Sequence, residues 1–123
     1  MLSDLNIGKY YCQGLQEFEF EKEYDCVWIQ WVLCYLTDQD LDTFMKKCRS
    51  SLPKDKPSIV VVKENVVDKG FLVDKDDNSV MRNDTQFFEA FEKAGFQVLK
   101  HSIQEGFPEE LHRISIYALK KAD

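Results

Sequence analysis

Three stretches of this chain carry side chains whose type and position could do chemistry. In Trp28-Ile-Gln-Trp-Val-Leu-Cys-Tyr-Leu-Thr-Asp-Gln-Asp-Leu41, a glutamine stands between two tryptophans where an apolar strand ends and a capped helix begins. A buried amide without a partner costs about 1–3 kcal/mol. Gln30 and Trp31 therefore read either as ordinary core packing or as part of the wall of a ligand site. Asn65 ends the aliphatic run Pro57-Ser-Ile-Val-Val-Val-Lys-Glu-Asn, and Asp74, Asp76 and Asp77 crowd the stretch "VDKDDNSV", which alone is a solvated turn. Lys63 and Glu64, at a strand end, read as surface residues or a local ion pair, and His101, inside a strand, as structural. Cys12, Cys26, Cys34 and Cys48 never form Cys-x-x-Cys, and both histidines are far from them in the chain, so neither a metal site nor a disulfide framework is indicated. They read as small buried residues kept as free thiols.

The elements that must position these residues follow from periodicity. Lys9 to Cys12 reads as a short strand, followed by a turn at Gly14 and a one-turn helix or loop at "LQEF". Tyr24 to Val32 is apolar nearly throughout, as a strand buried on both faces should be. Thr37 or Asp38 then caps a helix in which Leu41, Phe44, Met45, Cys48 and Leu52 share one face, and Pro53 stops it. Pro57 to Val66 is an interior strand, followed by a polar loop. Asn83 or Asp84 caps a second helix with Phe87, Phe88, Phe91 and Ala94 toward the sheet, and Gly95 ends it. "FQVLKHSIQ" and "ISIYAL" are two last strands, joined by a loop too short for a crossover helix and therefore antiparallel. Crossovers joining parallel strands, closed by one inserted antiparallel strand, predict the C-terminal half of a doubly wound α/β sheet.

Length and composition bound the rest. With 123 residues, 44% of them apolar, one domain with a real core is expected. No run of about 18 apolar residues is present, and the first residues lack the basic start and apolar core of a signal peptide, which predicts an intracellular protein, cytoplasmic or nuclear, with no membrane partner. The net charge of −6 argues against nucleic acid and for cationic partners.

"GLQEF", "YDCVWIQWVLCYLTDQDL", "VVKEN", "LVDKDDNSVMR" and "FPEELHRISIYAL" together resemble the α-N-terminal protein methyltransferases, class I enzymes dependent on S-adenosylmethionine (SAM) that methylate the free amine of chains beginning Xaa-Pro-Lys. The resemblance runs from about Lys9 to Leu119. It implies a Rossmann-like methyltransferase sheet, SAM as cofactor and no metal. It also implies that Leu15 and Gln16 lie beside the adenine, that Gln30 contacts the cofactor, and that Trp31 lines the peptide channel. Asn65, Asp74, Asp77 and Ser79 match positions that hold the substrate's amine, its proline carbonyl and its lysine. On that assignment Gln30 and Trp31 belong to the ligand wall. An α-amine with a pKa of about 7.7–8 must lose a proton before it attacks; Asp77 could orient it and take that proton.

Two positions depart from the family pattern. Tyr35 stands where a histidine is usual, and His112 where a tyrosine is usual. A tyrosine, whose hydroxyl ordinarily titrates at about 10, is a poorer base at neutral pH than a histidine, which titrates at about 6.5. That shifts base duty toward Asp77. The first two strands of the family's sheet, with their Gly-x-Gly loop and ribose-binding acid, are not in this sequence, which predicts a partial domain with Tyr24 to Val32 on an exposed, self-associating edge, or a gene model that lost its 5′ portion, and little turnover by the chain alone. The alternative is a non-catalytic fragment or pseudoenzyme that binds basic protein N-termini.

Overall fold

A computed structural model describes residues 14–76, 78–104 and 113–122. Strand β1 (Cys26–Gln30) runs parallel to β2 (Ile59–Val66), with Trp28 opposite Val61 and Gln30 opposite Lys63. The crossover between them is α1 (Asp38–Ser50), started by Thr37, whose hydroxyl accepts from the Asp40 amide at 3.1 Å. Asp38 and Asp40 occupy its first turn and Lys47 and Arg49 its last, matching the helix dipole. The helix ends ahead of Pro53, as expected.

The acidic stretch departs from the expected polar loop. It folds as an antiparallel hairpin of β3 (Phe71–Asp74) and β4 (Ser79–Arg82), pairing Asp74 with Ser79 and Leu72 with Met81. Short polar side chains make the turn: Asp74 Oδ1 accepts from the Asp76 amide at 2.9 Å, and Asn78 takes a left-handed φ of 59° that asparagine tolerates better than most residues. Helix α2 (Asp84–Lys93) follows with a complete capping box, Asn83 accepting from the Gln86 amide and Gln86 accepting from the Asn83 amide. Gly95, at φ 93°, turns the chain out of it.

β5 (Phe96–Gln104) and β6 (Arg113–Lys121) form the predicted antiparallel pair. β6 inserts between β2 and β5, so the sheet order is β1-β2-β6-β5, with β6 antiparallel to both neighbours. Both helices pack on one face, on Ile29, Val60, Val62, Tyr117 and Leu119. The first expected strand, Lys9 to Cys12, and the loop joining β5 to β6 lie outside the described residues.

Three expectations need correction. The strand predicted over Tyr24 to Val32 spans only five residues, because Trp31 turns left-handed at φ 53°. It is also not buried on both faces: Ile29 points into the core, while Trp28 is 59% exposed. Among the described residues β1 is an outer strand. Of the described cysteines, Cys48 is the buried thiol expected, with burial pushing its pKa up to about 12, but Cys26 is exposed.

Candidate functional site

Side chains alternate across a strand, and this sorts the candidates. Val60, Val62, Glu64 and Val66 of β2 face the helices, while Lys63 and Asn65 face the other way, beside Gln30 and Trp28 of the neighbouring β1. Gln30 and Asn65 therefore lie on one side of the sheet, toward the carboxyl ends of two parallel strands, where ligand crevices of open α/β sheets form. Gln30 is exposed rather than buried, and its side-chain oxygen accepts from the Trp28 indole at 3.0 Å. The premise of a buried amide needing a ligand is thus corrected: a tryptophan two residues away already satisfies its oxygen.

Trp31 follows immediately, 44% exposed, with its amide donating to the Lys63 carbonyl at 3.0 Å and the Lys63 ammonium 5.2 Å from the centre of its ring. Its left-handed backbone costs on the order of 1 kcal/mol. That turn carries the chain into a single 3-10 turn at Leu33–Tyr35, which leaves Tyr35 exposed.

Glu64 binds the segment that follows the turn. It is 2% exposed, and one carboxyl oxygen accepts from the amides of Val32 and Leu33, each at 2.8 Å. Burial pushes its pKa up to about 7, against the lowering effect of the two amides and of Arg82. Arg82, buried at the end of β4, binds the same segment from its other side, donating to the carbonyls of Leu33 at 3.2 Å and Leu36 at 2.7 Å and pairing with Asp38 at 3.0 Å. Sequence reasoning read Glu64 as a surface residue or one half of a local ion pair and did not single out Arg82. The missed signal was parity: Glu64 falls two residues after Val62 and two before Val66, on the row that faces the core.

The other predicted residues are dispersed. Asp74 and Ser79 are brought together across the hairpin, where Asp74 is exposed and closes the turn. Leu15 packs on the core and Gln16 lies in the same turn, its carbonyl accepting from Lys47 of α1 at 3.4 Å. That hydrogen bond ties Gln16 to the later part of α1. Asp77 and His112 lie outside the described residues. A cavity of about 580 Å³ lies between residues 19–23 and α1, lined by Glu19, Glu23, Asp42 and Lys46 among others, and holds none of the candidates. Among the described residues no group of three or more His, Cys, Asp or Glu is arranged to hold a metal.

A second polar cluster lies at the start of α2. Asp84 accepts from Ser115 at 2.6 Å and from the Tyr117 hydroxyl, with His101 Nε2 at 3.2 Å. Burial opposes ionisation of Asp84, but the hydrogen bonds from Ser115 and Tyr117 together with the electrostatic pull of His101 and Arg113 outweigh it and hold its pKa below the usual carboxylate value. His101 stacks on Tyr117 with ring centres 4.8 Å apart.

Comparison with known proteins gives this arrangement a context. The Dictyostelium discoideum alpha N-terminal protein methyltransferase 1 is 43% identical over 118 residues, 96% of this chain and 43% of that protein. The human N-terminal Xaa-Pro-Lys N-methyltransferase 1 is 36% identical over 115 residues, 93% of this chain and 51% of its own length. The chain thus spans about half the length of these curated relatives. A solved SAM-dependent methyltransferase of Leishmania major superposes with a TM-score of 0.82 at 36% identity, covering 92% of this chain and 45% of that one. An O-methyltransferase of a Brevibacillus brevis polyketide multienzyme, in complex with S-adenosyl-L-homocysteine, has a TM-score of 0.72 at 12% identity, covering 89% of this chain and 48% of that one, a likeness of fold alone. A family model described as AdoMet dependent proline di-methyltransferase matches residues 2–120, and the chain belongs to that family.

Proposed function

We propose that this chain carries the acceptor side of a SAM-dependent methyltransferase acting on the α-amine of proteins that begin Xaa-Pro-Lys. The observation that carries the reading is the placement of Gln30, Trp31 and Asn65 toward the carboxyl ends of β1 and β2, in a chain of this family. SAM, when bound, supplies a methyl group on a sulfonium sulfur. An exposed amide and an exposed indole at a strand end suit one wall of such a site. The resemblance assigns Leu15 and Gln16 to the adenine side; Gln16 is bonded through its carbonyl to Lys47 of α1, and Leu15 packs on the core.

The acceptor is an amine, so the protein's task is to hold it with its lone pair free and aligned with the methyl group. Asn65 offers a neutral amide that can accept from the amine without fixing it as a cation. Asp77 takes the proton, Asp74 and Ser79 hold the lysine, and Trp31 packs on the proline ring; Tyr35 and His112 border the peptide. This chemistry belongs inside the cell, in cytoplasm or nucleus.

The test is transfer of labelled methyl to a Ser-Pro-Lys peptide, with an acetylated peptide as blank and Asp77→Asn as variant. Transfer lost on acetylation and reduced at least tenfold by Asp77→Asn supports the reading. Transfer indifferent to Asp77→Asn refutes the role of that residue. Binding of the free-amine peptide without transfer favours the alternative of a non-catalytic binder of basic N-termini, which the acidic hairpin turn also suits.

A further inference from the structure

A carboxylic acid within an aliphatic row opposes the hydrophobic effect, so its position calls for a physical reason. Strand parity excludes direct contact with the candidate site: Glu64 points to the helix face, while Gln30 and Asn65 point to the other. What Glu64 touches instead is the backbone of the segment that leaves β1. Strand pairing stops with Gln30, Trp31 turns left-handed, and the amides of Val32 and Leu33 would be orphaned at the head of the 3-10 turn, whose own N-cap side chain makes no hydrogen bond. Glu64 satisfies both, from more than 30 residues away in the chain. Arg82 holds two carbonyls of the same segment and Asp38 at the head of α1.

We propose that Glu64 and Arg82 are positioning residues: a two-sided clamp on residues 31–36 that sets the left-handed turn at Trp31 and thereby the directions in which Gln30, Trp31 and Tyr35 project. The proposal rests on the reading of that segment as the acceptor wall and deepens it by naming what holds the wall in shape. The clamp joins three elements, β2, β4 and the start of α1, so the hairpin bearing Asp74 and Ser79 is tied through Arg82 to the segment bearing Trp31. The ionisable groups around Glu64 are Arg82 from β4 and Tyr117 from β6, with Asp84 of α2 beyond Tyr117 and Asp38 of α1 beyond Arg82.

Trp31 itself reports on the clamp. In a Trp28→Phe background its emission is the only tryptophan signal, because the chain has two tryptophans. Its wavelength or intensity should titrate with a midpoint close to that of Glu64, about 7. Adding Glu64→Gln, which keeps an oxygen for both amides but cannot ionise, should flatten the curve while leaving the far-ultraviolet dichroism unchanged. Arg82→Met, losing the opposite jaw, should shift Trp31 emission at every pH. A titration identical in the presence and absence of Glu64→Gln, or Trp31 emission unmoved by Arg82→Met, would overturn the clamp. A Ser-Pro-Lys peptide with a free amine separates this from the functional reading. If the wild-type chain does not bind it while the Trp31 titration behaves as described, the acceptor-wall reading falls and the clamp stands. If the peptide binds and Arg82→Met weakens it by less than about twofold, the clamp does not serve the site.

Discussion

At the scale of the residue, Glu64 makes the sharpest prediction. Its ordinary pKa of 4.5 rises to about 7 in the fold, because burial disfavours the charged form more than the two amides and Arg82 favour it. A group raised in this way contributes stability that is fully present below pH 4.5 and is lost as pH rises through about 7. Against wild type, Glu64→Gln should therefore gain on the order of 2 kcal/mol between pH 5 and pH 8, read from urea midpoints at each pH. A constant difference across that range would mean that Glu64 does not titrate in the fold. The sequence carried this residue in plain view, yet a lysine–glutamate pair at a strand end resembles a surface ion pair. Only the register shows that Lys63 faces out, over the Trp31 ring, while Glu64 faces in. Gln30 failed in the opposite sense: its apolar neighbours suggested burial, but Trp28 and Gln30 share the exposed face of an outer strand and satisfy each other.

Among the elements, those decided by local chemistry were the legible ones. Thr37 and Asn83 start the helices as their side chains predict, and Gly95 ends the second one. Replacing Asn83 by alanine removes the acceptor for the Gln86 amide and half of the capping box, and should cost about 1 kcal/mol in thermal or chemical unfolding. A cost near zero would show that water caps α2 equally well. β5 spans the stretch read from its sequence, Phe96–Gln104. The β3–β4 hairpin was missed because Asp, Lys and Asn at its turn dominate the composition of the segment, while the strands are only four residues each. β1 was drawn too long because its apolar run continues through Val32, while the groups that bind residues 31–36, the Lys63 carbonyl, the Glu64 carboxyl and the Arg82 guanidinium, all lie on other strands.

For the whole molecule, the sheet order β1-β2-β6-β5 presents β1 as an outer strand among the described residues, with Trp28 59% exposed beside it. Unpaired strand edges with apolar side chains template association with another chain. We expect concentration-dependent self-association in sedimentation velocity, suppressed by Trp28→Lys. A chain that stays monomeric at high concentration, with and without the substitution, would show that this edge is covered. By itself, the sequence determined the helices, their caps, the closing antiparallel strand and the family, because each rests on contacts within a few residues or on motifs that survive without the rest of the fold. Tertiary structure alone decided the face on which Gln30 lies, the left-handed turn at Trp31 and the buried Glu64–Arg82 clamp. Those depend on which strand lies beside which and in what register, and burial of a single carboxylate is set by neighbours more than 30 residues away in the chain.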